Sequence, residues 1–86
     1  MTPKQKQLKL ASIIALITAS GFQQDHYGNY KRDFADRTYR IKIKKVNIRI
    51  ESKRPGSPSW HKTLSQPIVS IEIPKLVSFM TKFLQA

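Results

Sequence analysis

The sequence predicts an α+β fold: an N-terminal helix, an antiparallel β-meander of three to five strands, and a C-terminal amphipathic helix. Three observations predict it. A helical stripe with its own start and stop signals occupies residues 2–22. Residues 37–54, RTYRIKIKKVNIRIESKR, alternate apolar with basic. A second helical stripe follows Pro74. The two stripes recur near 3.6 residues and the alternation recurs every two, the periods of helix and half-buried strand. The 86 residues are expected to form one small domain, residues 1–86, with a limited core.

The first helix is signalled at both ends. Thr2 is a good N-cap, Pro3 fits the first helical position, and Gln5 stands where a capping box takes Glu or Gln. Leu10, Ile13, Ile14 and Ile17 recur at i, i+3, i+4 and i+7 as one apolar stripe. Gly21 is expected as the left-handed cap, with Phe22 packing back on Ile17. Lys4, Lys6 and Lys9 followed by LASIIALITAS also fit the basic start and short apolar run of a secretory signal peptide. The capping box and the stripe favour a helix of the folded domain instead, and the run is too short and interrupted to span a membrane.

Next comes GFQQDHYGNYKRDF. Gly28-Asn29 reads as a two-residue hairpin loop that sets Tyr27 across from Tyr30 and Asp25 across from Arg32. The alternative is a loop leading into one strand, Tyr30 to Phe34. Ala35-Asp36-Arg37 then turns the chain into the basic stretch. Gly21, Phe22, Asp25, Tyr27, Gly28, Asn29, Tyr30 and Lys31 form a G-F-x-x-D-x-Y-G-N-Y-K segment behind a helix. In this the chain resembles small basic proteins of phages, plasmids and other mobile elements over its first two-thirds. The resemblance implies a mobile-element context and no catalytic residues.

In residues 37–54, Tyr39, Ile41 and Ile43 alternate with Arg40, Lys42 and Lys44, and then the phase slips by one to Val46, Ile48 and Ile50. One reading makes Lys44-Lys45 a two-residue hairpin loop, so that 43 faces 46, 41 faces 48 and 39 faces 50. The other is a single long strand with a β-bulge near Lys45. Both place the six apolar side chains on one face and nearly all the charge on the other. Lys-Lys is poor chemistry for a tight primed turn, so the two stay open.

Pro55-Gly56-Ser57-Pro58-Ser59 is a loop. Trp60 to Leu64 is a short strand broken at Gln66-Pro67, and Ile68 to Ile73 is a further short strand or extended segment. Pro74 opens the last helix, with Leu76, Val77, Phe79, Met80, Phe83 and Leu84 on one face and Lys75, Ser78, Lys82 and Gln85 on the other. The order helix, strands, helix resembles double-stranded-RNA-binding domains in outline. The lysine cluster that opens the second helix of that family is not matched, since only Pro74-Lys75 stands there.

Charge points to the partner. Sixteen Lys and Arg against five Asp and Glu give a formal net charge of +11, which implies a polyanion. Nucleic acid, RNA or DNA, is the first partner class. Neither helix concentrates Lys and Arg beside exposed aromatics, so a membrane surface is not expected. The candidate binding residues are Lys31, Arg32, Arg40, Lys42, Lys44, Lys45, Arg49, Lys53 and Arg54, with Trp60 as a stacking residue. Arg40 and Arg49 would sit opposite each other in the hairpin reading. Tyr27, Tyr30 and Tyr39 are further aromatics for a stacking platform, although Tyr39 shares a face with Ile41 and is assigned to the core.

Enzymatic chemistry is thinly represented. Glu51-Ser52-Lys53, with Asp33 or Asp36 upstream, resembles the D…ExK arrangement of restriction-type nucleases, where carboxylates hold a divalent metal. His26 and His61 are the only histidines and there is no cysteine, so neither a disulfide nor a thiolate metal site is available. No Gly-rich phosphate loop and no nucleophile with its base is found. The expectation is a noncatalytic, cofactor-free, metal-free cytoplasmic protein, monomer or dimer, that contacts the phosphate backbone through a basic sheet face. The alternatives are an accessory factor docking on a larger protein or ribonucleoprotein, and a metal-dependent nuclease.

Overall fold

Helix α1 spans Pro3–Ala19, and both of its ends are closed by the residues that signal them. The Gln5 N–H donates to Thr2 Oγ1 at 3.2 Å and the Thr2 N–H donates to Gln5 Oε1 at 3.0 Å, a reciprocal capping box. At the other end the Phe22 N–H donates to the Ile17 carbonyl at 3.3 Å and the Gly21 N–H to that of Thr18 at 3.1 Å, a Schellman motif. Gly21 has φ +84°, and a Cβ there would also meet the Arg32 guanidinium at 3.0 Å. The computed structural model describes residues 2–84.

Five strands follow as an antiparallel meander in sequence order: β1 (Gln23–Gln24), β2 (Tyr30–Phe34), β3 (Arg37–Ile43), β4 (Asn47–Lys53) and β5 (His61–Pro67). A 3-10 turn, Ile68–Ser70, leads to helix α2, Ile73–Leu84. The α+β order expected from the sequence is therefore the observed one. Gln85, expected on the polar side of α2, lies outside the described residues.

Several local expectations are corrected. Gln24 pairs with Tyr30, so the β1–β2 connection runs through Asp25 to Asn29 and is longer than a Gly28-Asn29 turn. Asp25 organises it: one carboxylate oxygen accepts from the Tyr27 N–H at 2.9 Å and the Asn29 N–H at 3.0 Å. The other faces Lys31, not Arg32, at 3.3 Å. The β3–β4 connection is a hairpin and not a bulge, but its loop is Lys45-Val46. Ile43 pairs with Ile48, Ile41 with Ile50 and Tyr39 with Ser52, while the Lys44 N–H donates to the Asn47 carbonyl at 2.7 Å. Val46 therefore leaves the apolar row and is 55% exposed. Strand β5 runs through Pro67, which an edge strand tolerates because the missing N–H leaves no ladder bond unmade. A register shift opposite Ile50 and Glu51 interrupts its pairing with β4. Ile68 to Ile73 forms no strand: Ile68–Ser70 is the 3-10 turn, Ile71 is extended, which matches the alternative expectation, and Ile73 begins α2.

Both helices cover one face of the sheet. Tyr39, Ile41, Ile48 and Ile50 point into it and form one buried cluster with Ile13 and Ile17 of α1, Leu76, Met80 and Phe83 of α2, and Phe22, Ile68 and Ile71 between elements. Phe83 is its aromatic hub, edge-on to Phe22 at 5.1 Å and to Phe34 and Tyr39 at 5.0 Å each. Each such pair contributes about 0.5–1.5 kcal/mol beyond the area it buries. Val77 and Leu84, expected on the apolar side of α2, are half exposed at its margin.

Candidate nucleic-acid interface

Strand pleating sends alternate residues to the face that the helices leave open. The register places Lys31 beside Arg40, Arg40 beside Glu51, Lys42 beside Arg49, and Glu51 beside Lys62. Lys53 lies in the same face, opposite Thr38. The result is a basic outer surface backed by an apolar inner one. Lys44 and Lys45 extend it onto the exposed β3–β4 tip, and Arg54 follows β4 at the opposite end.

At the centre of this face stands a carboxylate. Glu51 is only 4% exposed, with Arg40 donating to its Oε1 through Nε at 3.0 Å and Nη2 at 2.8 Å. Arg49 Nε approaches the other oxygen, Oε2, at 3.0 Å. Burial by itself pushes the Glu51 carboxyl up. The Arg40 hydrogen bonds and the charges of Arg40, Arg49 and Lys42 outweigh it and hold the group below the usual carboxylate range. Arg40 and Arg49 are therefore not opposite each other, as the Lys44-Lys45 loop would require; they converge on Glu51.

Trp60 completes the layer. The Arg40 guanidinium lies 3.9 Å from its ring centroid and the Lys53 ammonium 4.8 Å, both cation–π contacts. The indole thus packs among the cations of the outer face. The other aromatics do not join it in a platform. Tyr39 is buried, as expected, Tyr30 packs against the core, and Tyr27 sits exposed beside His26 in the β1–β2 loop.

Arg32 stands apart from the remaining candidates. It pairs with Tyr39 and points to the helix side, where Nη1 donates to the Ser20 carbonyl and, at 2.9 Å, to the Phe83 carbonyl. These carbonyls close α1 and α2, so one guanidinium meets the negative ends of both helix dipoles. Its guanidinium serves the helix ends and does not point to the outer face; the sequence groups it with the binding residues as one of the basic residues running from Lys31 to Arg54. Lys62 is the residue that sequence reading missed. Its strand lacks apolar alternation, so nothing in HKTLSQP assigned it a face; the register opposite Glu51 does.

The nuclease-like triplet takes a different form from the one its chemistry needs. Glu51 and Lys53 share a face, but arginines occupy both Glu51 oxygens, and Asp33 accepts from the Thr38 hydroxyl at 2.7 Å. Among the described residues no group of three His, Cys, Asp or Glu is placed to hold a metal ion. Among the same residues no helix is long and apolar enough to cross a membrane. No family model, curated protein or solved structure matches the chain.

Proposed function

We propose that this protein is a noncatalytic nucleic-acid-binding module that contacts the phosphate backbone of RNA or DNA through the outer face of its sheet. One observation carries the reading: the uncovered face presents Lys31, Lys42, Arg49, Lys53 and Lys62 in neighbouring rows, while the carboxylate at its centre, Glu51, is enclosed by arginines. Regularly spaced cations on a rigid sheet neutralise phosphates and release counterions, which gives affinity without sequence readout. Arg40 and Arg49 hold Glu51 and also border the face. Lys42, Lys44 and Lys62 have no ion-pair partner among the described residues. A mobile-element setting, which the G-F-x-x-D-x-Y-G-N-Y-K segment suggests, is compatible with such a role.

The test is binding of the purified protein to labelled single- and double-stranded RNA and DNA across a salt series. The expected result is a steep negative salt slope. The Lys42→Glu/Lys44→Glu/Lys62→Glu variant is expected to reduce that slope by about one for each phosphate contact removed. Unchanged affinity in this variant would overturn the sheet-face reading. Weak binding to every form at physiological salt would assign the charge to a protein partner instead.

A further inference from the structure

The five arginines divide into two groups. Arg32 is held by helix carbonyls, and Arg40 and Arg49 are held by Glu51. Arg37 and Arg54 have neither a carboxylate nor a hydrogen-bond acceptor for their side chains among the described residues, and both line the same concavity together with Ser57 and His61. The topology explains the convergence. Arg37 opens β3, Arg54 follows β4, and His61 opens β5. The pairings Thr38 with Lys53 and Ser52 with His61 bring these three positions to one end of the sheet.

The loop between them is well fixed. The Ser57 N–H donates to the Arg54 carbonyl at 3.1 Å, closing a turn whose third residue, Gly56, has φ +80°. Pro55 and Pro58 restrict the backbone on either side. The lining is composed of donors. Guanidinium groups carry only N–H donors, and His61 offers at least one ring N–H in any protonation state. The Ser57 hydroxyl, which here donates to the Ser59 carbonyl and accepts from the Ser59 N–H over long 3.4 Å contacts, would turn from that carbonyl to a ligand. Asp36, the carboxylate nearest Arg37 in sequence, forms no ion pair among the described residues. Two unpaired guanidiniums, each a planar fork of N–H donors, stand with a hydroxyl and an imidazole and no carboxylate in the lining, a donor set that suits the several oxygens of a tetrahedral phosphate group.

We infer that Arg37, Arg54, Ser57 and His61 form a phosphate-binding pocket at the β4–β5 loop end, which adjoins the basic face at Arg54 but rests on its own lining and not on the reading given to that face. The ligand is a phosphate group with several free oxygens, either free phosphate or the terminal phosphate of a nucleic-acid strand.

The experiment follows backbone amide signals of the ¹⁵N-labelled protein while inorganic phosphate, a 5′-phosphorylated oligonucleotide or its 5′-hydroxyl counterpart is added. Phosphate is expected to shift Ser57 and His61. These shifts are expected to weaken by roughly tenfold in apparent affinity in Arg37→Gln/Arg54→Gln, which removes two charge-assisted contacts, and to persist in Lys42→Glu/Lys62→Glu. Saturation by the 5′-phosphorylated strand at lower concentration than inorganic phosphate names a strand end as the source; equal concentrations name free phosphate. The Ser57→Ala variant, in an exposed loop, provides a second probe that leaves both arginines in place. No shift at these residues with either phosphate would overturn the pocket. So would shifts that survive Arg37→Gln/Arg54→Gln, or that vanish in Lys42→Glu/Lys62→Glu.

Discussion

The two faces of the β3–β4 pair are made from alternating residues of the same two strands, yet they are held together by different physics. On the inner face Tyr39, Ile41, Ile48 and Ile50 lose their water to two helices, and the stabilisation is area burial and close packing. On the outer face no helix arrives. There Arg40, Trp60 and the more exposed Arg49 enclose Glu51, and the order comes from charge-assisted hydrogen bonds and cation–π contact. The difference teaches that charge counted along a strand is not charge available to a ligand. Arg40, the most central cation, is the one most fully engaged by its neighbours. The cations with most freedom, Lys42, Lys44, Lys45 and Lys62, lie around that centre.

The largest effect is expected from the inner face. Phe83→Ala removes the ring that meets Phe22, Phe34 and Tyr39, and denaturant unfolding is expected to show a loss of about 3–5 kcal/mol. A loss below 1 kcal/mol would mean that the aromatic hub is not a packed core.

A smaller effect is expected at the centre of the outer face. Glu51→Gln leaves two guanidiniums around a neutral amide and is expected to cost about 1–3 kcal/mol near neutral pH. The pH dependence has a definite sign. Glu51 is held below its ordinary value of 4.5 in the folded state, so its contribution is present above that value and is lost as pH falls through the lower folded value. Thermal melts of the two proteins should therefore converge in acid. A gap that stays constant from neutral pH to strong acid would show that the arginine–glutamate pairing does not stabilise the fold.

The smallest effect on stability per substitution is expected from Lys42→Glu/Lys44→Glu/Lys62→Glu, where each side chain lacks an ion-pair partner among the described residues. Lys44→Glu should stay within about 0.5 kcal/mol, while Lys42→Glu and Lys62→Glu, which set a like charge near Glu51, should each cost up to about 1 kcal/mol, so binding is compared on protein shown to be folded. Unfolding of this variant would mean that the outer lysines also support the sheet.

Much of the architecture was legible in local signals. The capping box at Thr2 and Gln5, the Gly21-Phe22 stop and the alternation in residues 37–54 each state their structure within a few residues. The hairpin register was not legible from alternation. A loop at 44-45 and a loop at 45-46 preserve the same parity, so both put Ile41, Ile43, Ile48 and Ile50 on one face. The observed register gains an opposite-charge pair, Arg40 with Glu51, where the other would set Arg40 against Arg49. That decision is made across strands, which one-dimensional periodicity does not see.

The same limit explains the site. Arg32 and Arg40 look alike in sequence, and only the pairing of Arg32 with Tyr39 and of Arg40 with Lys31 and Glu51 sends them to opposite sides. In β5 the sequence HKTLSQP offers neither apolar alternation nor a β-branched run, so the face of Lys62 is set entirely by β4. Ile68 to Ile73 reads as extended because isoleucine favours strands, yet Ile68 and Ile71 are buried from a 3-10 turn and the segment after it.

Arg32 has a consequence for how the molecule comes apart. Through one guanidinium, a strand near the middle of the chain holds the ends of two helices that lie 12 residues before it and 51 residues after it. Fraying of either helix at that end frees a carbonyl and loosens the donor that serves the other. The terminal turns of both helices should therefore open as one cooperative unit, with matched hydrogen-exchange rates despite their distance in sequence.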